Sequence, residues 1–338
     1  LINREITDPD TADIFLNPKL TNLIPPENMP GVKSAVQRIK KAILENEKIT
    51  IYGDYDVDGI TSVSILLQLL NLFQANVDYY IPHRINEGYG LNEDAVKSIK
   101  NNGTNLIITV DCGITAVQTA KNIRAAGIDL IITDHHQPES ELPPANAIVH
   151  PAIDDYQNPH SCGALVAYKL AWALANEFNP KKRLDENLRQ FMINATSLAA
   201  IGTIADVVDI RGENRIITSF GLKAIPHCQL SGIQALIEST NLSDQDLQSS
   251  HIGFRLAPML NAAGRMGHAR LAVELLASTS KLRSIQIADY LKEQNTQRRT
   301  LEKKIFKQAC EMINAHKLNH PDRKSIVLAS ENWHTGII

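Results

Sequence analysis

Thiols are few in this 338-residue chain: Cys112, Cys162, Cys228 and Cys310 are scattered, and no two form a CxxC pair. That excludes a disulfide framework and a zinc knuckle and fits a reducing cytoplasm. Long apolar runs are missing as well. No window approaches the roughly 18 apolar residues of a membrane span, and the N-terminus has no signal-peptide hydrophobic region, so a soluble, cytoplasmic protein is expected. Aromatic residues are scarce at 5%, and no stacking platform for unpaired bases stands out. The net charge is only −3, which gives no global reason to expect a polyanionic partner but leaves room for a local basic face. Internal repeats and low-complexity tracts are absent. The chain begins at Leu1 and stops inside the apolar run of "NWHTGII", so both ends are expected to be cuts from a longer polypeptide.

What is present is ordinary in bulk, with 43% apolar and 21% charged residues. The length favours two domains, with one large α/β domain as the alternative. From about residue 48, short β-branched runs alternate with helix-period segments: "KITIYG", "NVDYYI", "NLIITV", "IDLIIT" and "NAIVH" read as strands, separated by "ITSVSILLQLLNLF", "LNEDAVKSIKNN" and "ITAVQTAKNIRAAG". This rhythm predicts βαβ units on a parallel sheet, hence an α/β fold. "NLIITV" and "IDLIIT" are apolar almost throughout, as strands covered on both faces should be. Residues 161–205 read as helices that close the first domain, and a second helical region runs from 219 to 277. No Gly or Pro lies between Gly267 and Pro321, and within that stretch "TSKLRSIQIADYLKEQNTQRRTLEKKIFKQACEMINAHK" predicts one connecting helix of about 55 Å. "PDRKSIVLAS" then reads as the first strand of another domain.

The chemistry gathers at strand ends, where open parallel sheets bind ligands. "TIYGDYDVDG", "LIITVDCGI" and "LIITDHHQP" each run from an apolar strand straight into aspartate, placing Asp54, Asp56, Asp58, Asp111, Asp134, His135 and His136 along one edge. Taken singly, each has a plain alternative: an Asp after a strand caps a helix, a DxD is a solvated turn, and a His pair is surface or core. Together they would crowd five carboxylates with no cation to offset them, and like charges that close repel. A metal site resolves this. Carboxylates with imidazole and no thiolate suit Mn2+ or Mg2+, and so many acids imply two ions. Two-metal sites serve hydrolysis at phosphorus.

"YGDYDVDG", "VDCG", "TDHHQP" and "GTIADVVD" resemble the four ordered motifs of the DHH phosphoesterase superfamily. With "IPHRINEGYGLN", "VHPAI", "SCGALVAYKL" and "FRLAPMLNAAGRMGHA", the pattern is similar to the bacterial RecJ single-stranded-DNA exonucleases over residues 50–270, and "ENWHTGII" resembles the opening of that family's DHHA1-type domain. The resemblance implies that Asp56, Asp58, Asp111, His135 and Asp206 ligate two Mn2+ or Mg2+ ions, with Asp111 as the bridge. Asp54 is a ligand or stands behind the ligands. Asp134 orients a histidine or caps the next turn. His136 faces the scissile phosphate or is structural. Arg84 and Arg255 contact DNA phosphates, Asn261 and Arg265 support that loop, and ordinary surface ion pairing is the alternative for each arginine. His150 sits near the site or merely ends a strand.

On this resemblance the chain divides into a DHH catalytic domain (1–215), a helical extension with an arginine-bearing loop (216–280), a connecting helix (281–320) and the start of a truncated DHHA1-type domain (321–338). The expected activity is 5′ to 3′ exonuclease action on single-stranded DNA in repair and recombination, by a monomer with single-strand-binding protein or helicase partners. A DHH phosphodiesterase for short oligonucleotides or cyclic dinucleotides, and a nuclease-dead scaffold, are the alternatives. Residues 292–307 carry Lys292, Arg298, Arg299, Lys303, Lys304 and Lys307 against Glu293 and Glu302. That stripe either tracks a nucleic-acid backbone or is a solvated helix face.

Overall fold

Two helices precede the sheet in a computed structural model that describes every residue except 5, 85, 86, 89, 180–182 and 338. They are α1 (Pro9–Leu16), capped by Asp8, and α2 (Val32–Leu44). The five β-branched runs then form β1 (Ile49–Gly53), β2 (Val77–Tyr80), β3 (Leu106–Val110), β4 (Asp129–Thr133) and β5 (Ala147–Val149). All pairings are parallel, in the order β2-β1-β3-β4-β5. Helices α3 (Val57–Leu72), α4 (Glu93–Asn101) and α5 (Val117–Ala125) make the crossovers.

Alternate side chains feed two cores. Ile49, Ile51, Leu106, Ile108, Val110 and Ile131 pack with α2 and α3, whereas Tyr52, Ile107, Leu130 and Ile132 pack with Val96 and Ile99 of α4 and Ile123 of α5. Burial on both faces is why these strands read as unbroken apolar runs. Gly53 pairs with Val110, and Val110 with Thr133, so the strands end level. The next residues, Asp54, Asp111 and Asp134, therefore stand in a row. The chain leaves β1 towards β2 and returns to β3 on the other side, which opens a crevice between β1 and β3.

The rest is helical: α6 (Gly163–Phe178), α7 (Glu186–Ala205), α8 (Gly212–Ala224), α9 (Ser231–Ser239), α10 (Ser249–His251), a π-helical turn over Ile252–Leu256, α11 (Ala257–Arg265), α12 (Ala269–Ala277) and α13 (Lys281–Ala315). Helix α3 is buried along most of its length because α6, α7 and α12 all pack on it. The core is continuous from Leu23 to Leu291, so the structure shows no break at 215 or at 280. Helix α8 packs on α7 and α12 on α3, while α11 packs mainly on α12 and α13, so these apolar faces join the main core. The long helix matches the expected segment, but its first part is docked: Ser284, Ile287, Ala288, Leu291 and Gln294 are buried against neighbours that include α9, α11 and α12. "PDRKSIVLAS" forms no strand, because no other strand lies beside it among the described residues to complete a ladder.

One buried ion pair ties the N-terminal segment to the helices. Lys169 of α6 bonds Glu213 of α8, whose carboxylate also accepts from the Ile24 N–H at 2.8 Å and the Tyr156 hydroxyl at 2.5 Å. Neither charged side chain is appreciably exposed. Removing one partner of such a pair strands the other. Lys169→Ala is therefore expected to lower unfolding stability by about 3–5 kcal/mol in urea titrations, and the double change Lys169→Met with Glu213→Leu should recover only part of that loss, because the Ile24 N–H and the Tyr156 hydroxyl lose their acceptor.

Candidate metal centre

Strand ends and helix termini position the acids at the sheet edge. Asp56 caps α3, accepting from the Gly59 N–H at 3.0 Å. Asp58, in the first turn of the same helix, reaches across to α6, where its two oxygens accept from the N–H groups of Gly163 (2.6 Å) and Ala164 (2.9 Å). It thereby caps a helix whose own Cys162 makes no side-chain cap. Asp111 follows β3 in the left-handed region, φ 60°, a conformation Asp tolerates better than most residues. Asp206 ends α7 as its C-cap. A carboxylate is disfavoured there, since the helix dipole already places negative charge at that end.

These acids converge on His135. Its Nε2 lies 3.1 Å from Asp111 Oδ1, 3.6 Å from Asp58 Oδ2 and 3.8 Å from Asp206 Oδ2. Ligand atoms within 4.8 Å of one another form three overlapping sets: Asp58, His135 and Asp206; Asp54, Asp56 and Asp111; and Asp111, His135 and His136. Asp111 belongs to two of them. The approach is close enough to require glycine: a Cβ at Gly163 would lie 2.7 Å from the Asp111 Cβ, and one at Gly202 would lie 2.7 Å from Asp58 Oδ1.

The residues fit divalent cations. Asp54 Oδ1 and His135 Nε2 are buried with no hydrogen-bond partner. Among the described residues no lysine or arginine comes within ion-pair distance of Asp54, Asp56, Asp58 or Asp206. Burial, and then the neighbouring Asp56, push the Asp54 carboxyl up to about 7. Burial, then Asp58 and Asp56, do the same to Asp206, also to about 7. Asp111 is driven well above the carboxylate range by burial and by Asp58. Burial holds His135 below its ordinary value, which keeps its imidazole neutral, as a ligand must be.

Asp134 has the opposite setting. Burial works to raise its pKa, but the hydrogen bond from His136 and the N–H of Ile114 outweigh it, so the carboxyl titrates below its ordinary value. Its Oδ1 accepts from the His135 N–H (2.7 Å), the His136 N–H (3.2 Å) and His136 Nδ1 (2.7 Å), and its Oδ2 from the Ile114 N–H (2.9 Å). It thus orients a histidine and caps the turn at once. That bond raises His136 above the usual imidazole value, while the ring stays partly exposed. His150 is buried behind them. Its Nδ1 accepts from the Ala152 N–H at 3.0 Å, which leaves Nε2–H to donate to the His136 carbonyl at 2.8 Å. Both ring nitrogens are committed, so His150 braces the His136 backbone.

A cavity of about 270 Å³ adjoins the acids, lined by Asp54, Tyr55, Asp56, Arg84, Asn261 and Arg265. The Arg84 guanidinium lies over the Tyr55 ring, 5.0 Å from its centroid. Asn261 Oδ1 accepts from the Val57 N–H at 3.2 Å, which fastens α11 to the start of α3. Burial, then Arg84 and Arg298, push the Arg265 pKa down, marking three cations near one another. Arg255 is elsewhere: its guanidinium bonds the Thr240 carbonyl, and it does not line the cavity. A larger cavity of about 970 Å³ between α1 and α8 contains none of the acids. Gly163, Gly202 and the ring of Tyr55 are the site residues that sequence reasoning missed, although all three sit inside the quoted motifs.

Residues 48–196 match the DHH family, N-terminal domain. Over its whole length the chain is 42% identical to the single-stranded-DNA-specific exonuclease RecJ of Bacillus subtilis, covering 41% of that protein. A crystal structure of exonuclease RecJ bound to manganese superposes with a TM-score of 0.83 at 32% identity, over 94% of this chain and 77% of that one. The chain belongs to the DHH family, on its RecJ branch. A RecJ structure from Thermus thermophilus in complex with Mn2+ is also similar, with a TM-score of 0.82 at 29% identity, over 99% of this chain and 46% of that one. This RecJ-branch chain thus spans less than half the length of the B. subtilis relative. No helix among its described residues is long and apolar enough to cross a membrane.

Asp54 and Asp206 titrate near 7 in the ion-free fold, above the ordinary 3.8. A carboxylate with a raised folded-state value favours the fold at low pH and loses that contribution as pH climbs through the folded value. Without divalent ions, thermal stability is therefore expected to fall between about pH 4 and pH 7. Excess Mn2+ should flatten that slope and raise the melting temperature, and Asp111→Asn should remove most of the Mn2+ response; melting curves at several pH values check both.

Proposed function

We propose that this chain hydrolyses phosphodiester bonds with two Mn2+ or Mg2+ ions, as the nuclease unit of a 5′ to 3′ exonuclease acting on single-stranded DNA. The observation that carries this reading is the shared cavity, which Asp54 and Asp56 line together with Arg84 and Arg265. Cation-binding oxygens and guanidinium forks in one cavity are the pairing a bound phosphate needs.

Asp58, His135 and Asp206 would hold one ion and Asp54 and Asp56 the other, with Asp111 reaching both. When bound, such ions supply an activated water and stabilise charge on the phosphoryl oxygens. Everything else falls to the protein. Asp134 fixes the His136 ring and keeps it a donor towards the scissile phosphate, where developing charge needs a positioned partner. Tyr55 and Arg84 stack, so the guanidinium is held in place before the phosphate arrives. Asn261 sets the distance between the arginine loop and the acids through its bond to Val57.

The RecJ relatives are named for single-stranded DNA, and that substrate comes to this chain by kinship. The cationic stripe over residues 292–307 supports it, since α13 beyond Gln294 carries no buried residue and is available to a strand. The same reading takes the chain as a cytoplasmic monomer working with a single-strand-binding protein or a helicase.

The test is hydrolysis of a 5′-labelled single strand by the purified chain with Mn2+. Arg84→Ala should lower kcat/KM by about 10- to 100-fold, in line with loss of charged hydrogen bonds, and Asp111→Ala should abolish turnover. A chain that cleaves a dinucleotide readily and leaves the long strand intact would favour the short-oligonucleotide phosphodiesterase instead.

A further inference from the structure

Phe254 is 83% exposed, an unusual position for a phenylalanine in a chain with so few aromatics. It is displayed by the π-helical turn Ile252–Leu256. Such turns are rare and concentrate at functional sites. The turn packs against α7, with Ile204 of its last turn the nearest side chain to Gly253, and Arg255 bonds the Thr240 carbonyl. Ile252 and Leu256 are fully buried beneath it. The ring is therefore held outward by a rigid mount.

The mount is continuous with the candidate centre. Ile204 lies two residues before Asp206, and Asn261 and Arg265 follow Phe254 on the same helical run. Seven residues separate Phe254 from Asn261, about 10 Å of helix. Val207, directly after Asp206, is likewise 84% exposed, with φ at 63°, a conformation that a β-branched residue adopts only under constraint. Two apolar side chains are thus presented to solvent beside a centre that otherwise displays charge.

We propose that Phe254 is a stacking site for an unpaired nucleobase of the bound strand, close to the reacting phosphate. Aromatic faces accept any base, so the contact would favour single strands without reading sequence. Arg255 acts through it: the arginine positions the turn that presents the ring. This inference rests on the proposed function above.

The probe is an oligonucleotide carrying 2-aminopurine near its 5′ end, titrated with the full chain in EDTA, alongside Mn2+-dependent hydrolysis of the p-nitrophenyl ester of thymidine 5′-phosphate. Stacking predicts quenching of the 2-aminopurine by the wild type, loss of that quenching in Phe254→Ala with strand affinity about 5- to 100-fold weaker, and recovery in Phe254→Tyr. Ester hydrolysis in each variant reports that its centre is assembled. Unchanged affinity and quenching in Phe254→Ala, with ester hydrolysis intact, overturns the stacking site alone. A wild-type chain that neither binds the strand nor hydrolyses the ester overturns the proposed function with it.

Discussion

Mutual repulsion among buried carboxylates is the constraint around which this fold is arranged. Asp58 and Asp111 are each 2% exposed and Asp54 is 4% exposed, yet they share one crevice with Asp56 and Asp206. Uncompensated, charges so placed and so dry would push one another towards protonation. Part of the compensation is built into the backbone. Asp56 and Asp58 lie at the start of α3, and Asp58 also takes the first N–H groups of α6, so two helix N-termini point their positive ends at these acids. Asp206, at the C-terminal end of α7, receives no such help. A cation close by would relieve it most directly.

The same constraint explains features that look local. Gly163 and Gly202 are glycines because α6 and α7 must approach the carboxylates more closely than a Cβ permits. The left-handed Asp111 turns its side chain back over the sheet edge at a backbone strain of about 1–3 kcal/mol. Behind the histidines, Asp134 holds both backbone N–H groups and one ring nitrogen, and His150 holds the His136 carbonyl, so His135 and His136 are fixed before any ligand arrives. Rigid support of this kind is what distinguishes a preorganised site from a cluster of surface acids.

Much of this was legible in the sequence, for physical reasons. Strands covered on both faces are almost wholly apolar, so an Asp at the end of such a run marks the sheet edge, and Asp54, Asp111 and Asp134 were placed by that signal alone. Asp54 and Asp134 could not be sorted in advance, because the choice between facing a cation and capping a turn depends on neighbours distant in sequence. Arg255 shows the limit from the other side. A guanidinium reads as a phosphate grip, but its partner is a carbonyl fifteen residues away, at Thr240. The continuous core was equally hidden, since periodicity shows that α8 and α12 have apolar faces without showing that α7 and α3 receive them. A strand in "PDRKSIVLAS" is a sound local reading with no neighbour to pair with among the described residues.

Anomalous diffraction at the manganese edge, from crystals grown with Mn2+, tests the central claim most directly. Two peaks are expected, one beside Asp58, His135 and Asp206 and one beside Asp54 and Asp56, with Asp111 reaching both. A single peak that leaves Asp54 and Asp56 without an ion, or no peak at the acid crevice, would contradict it.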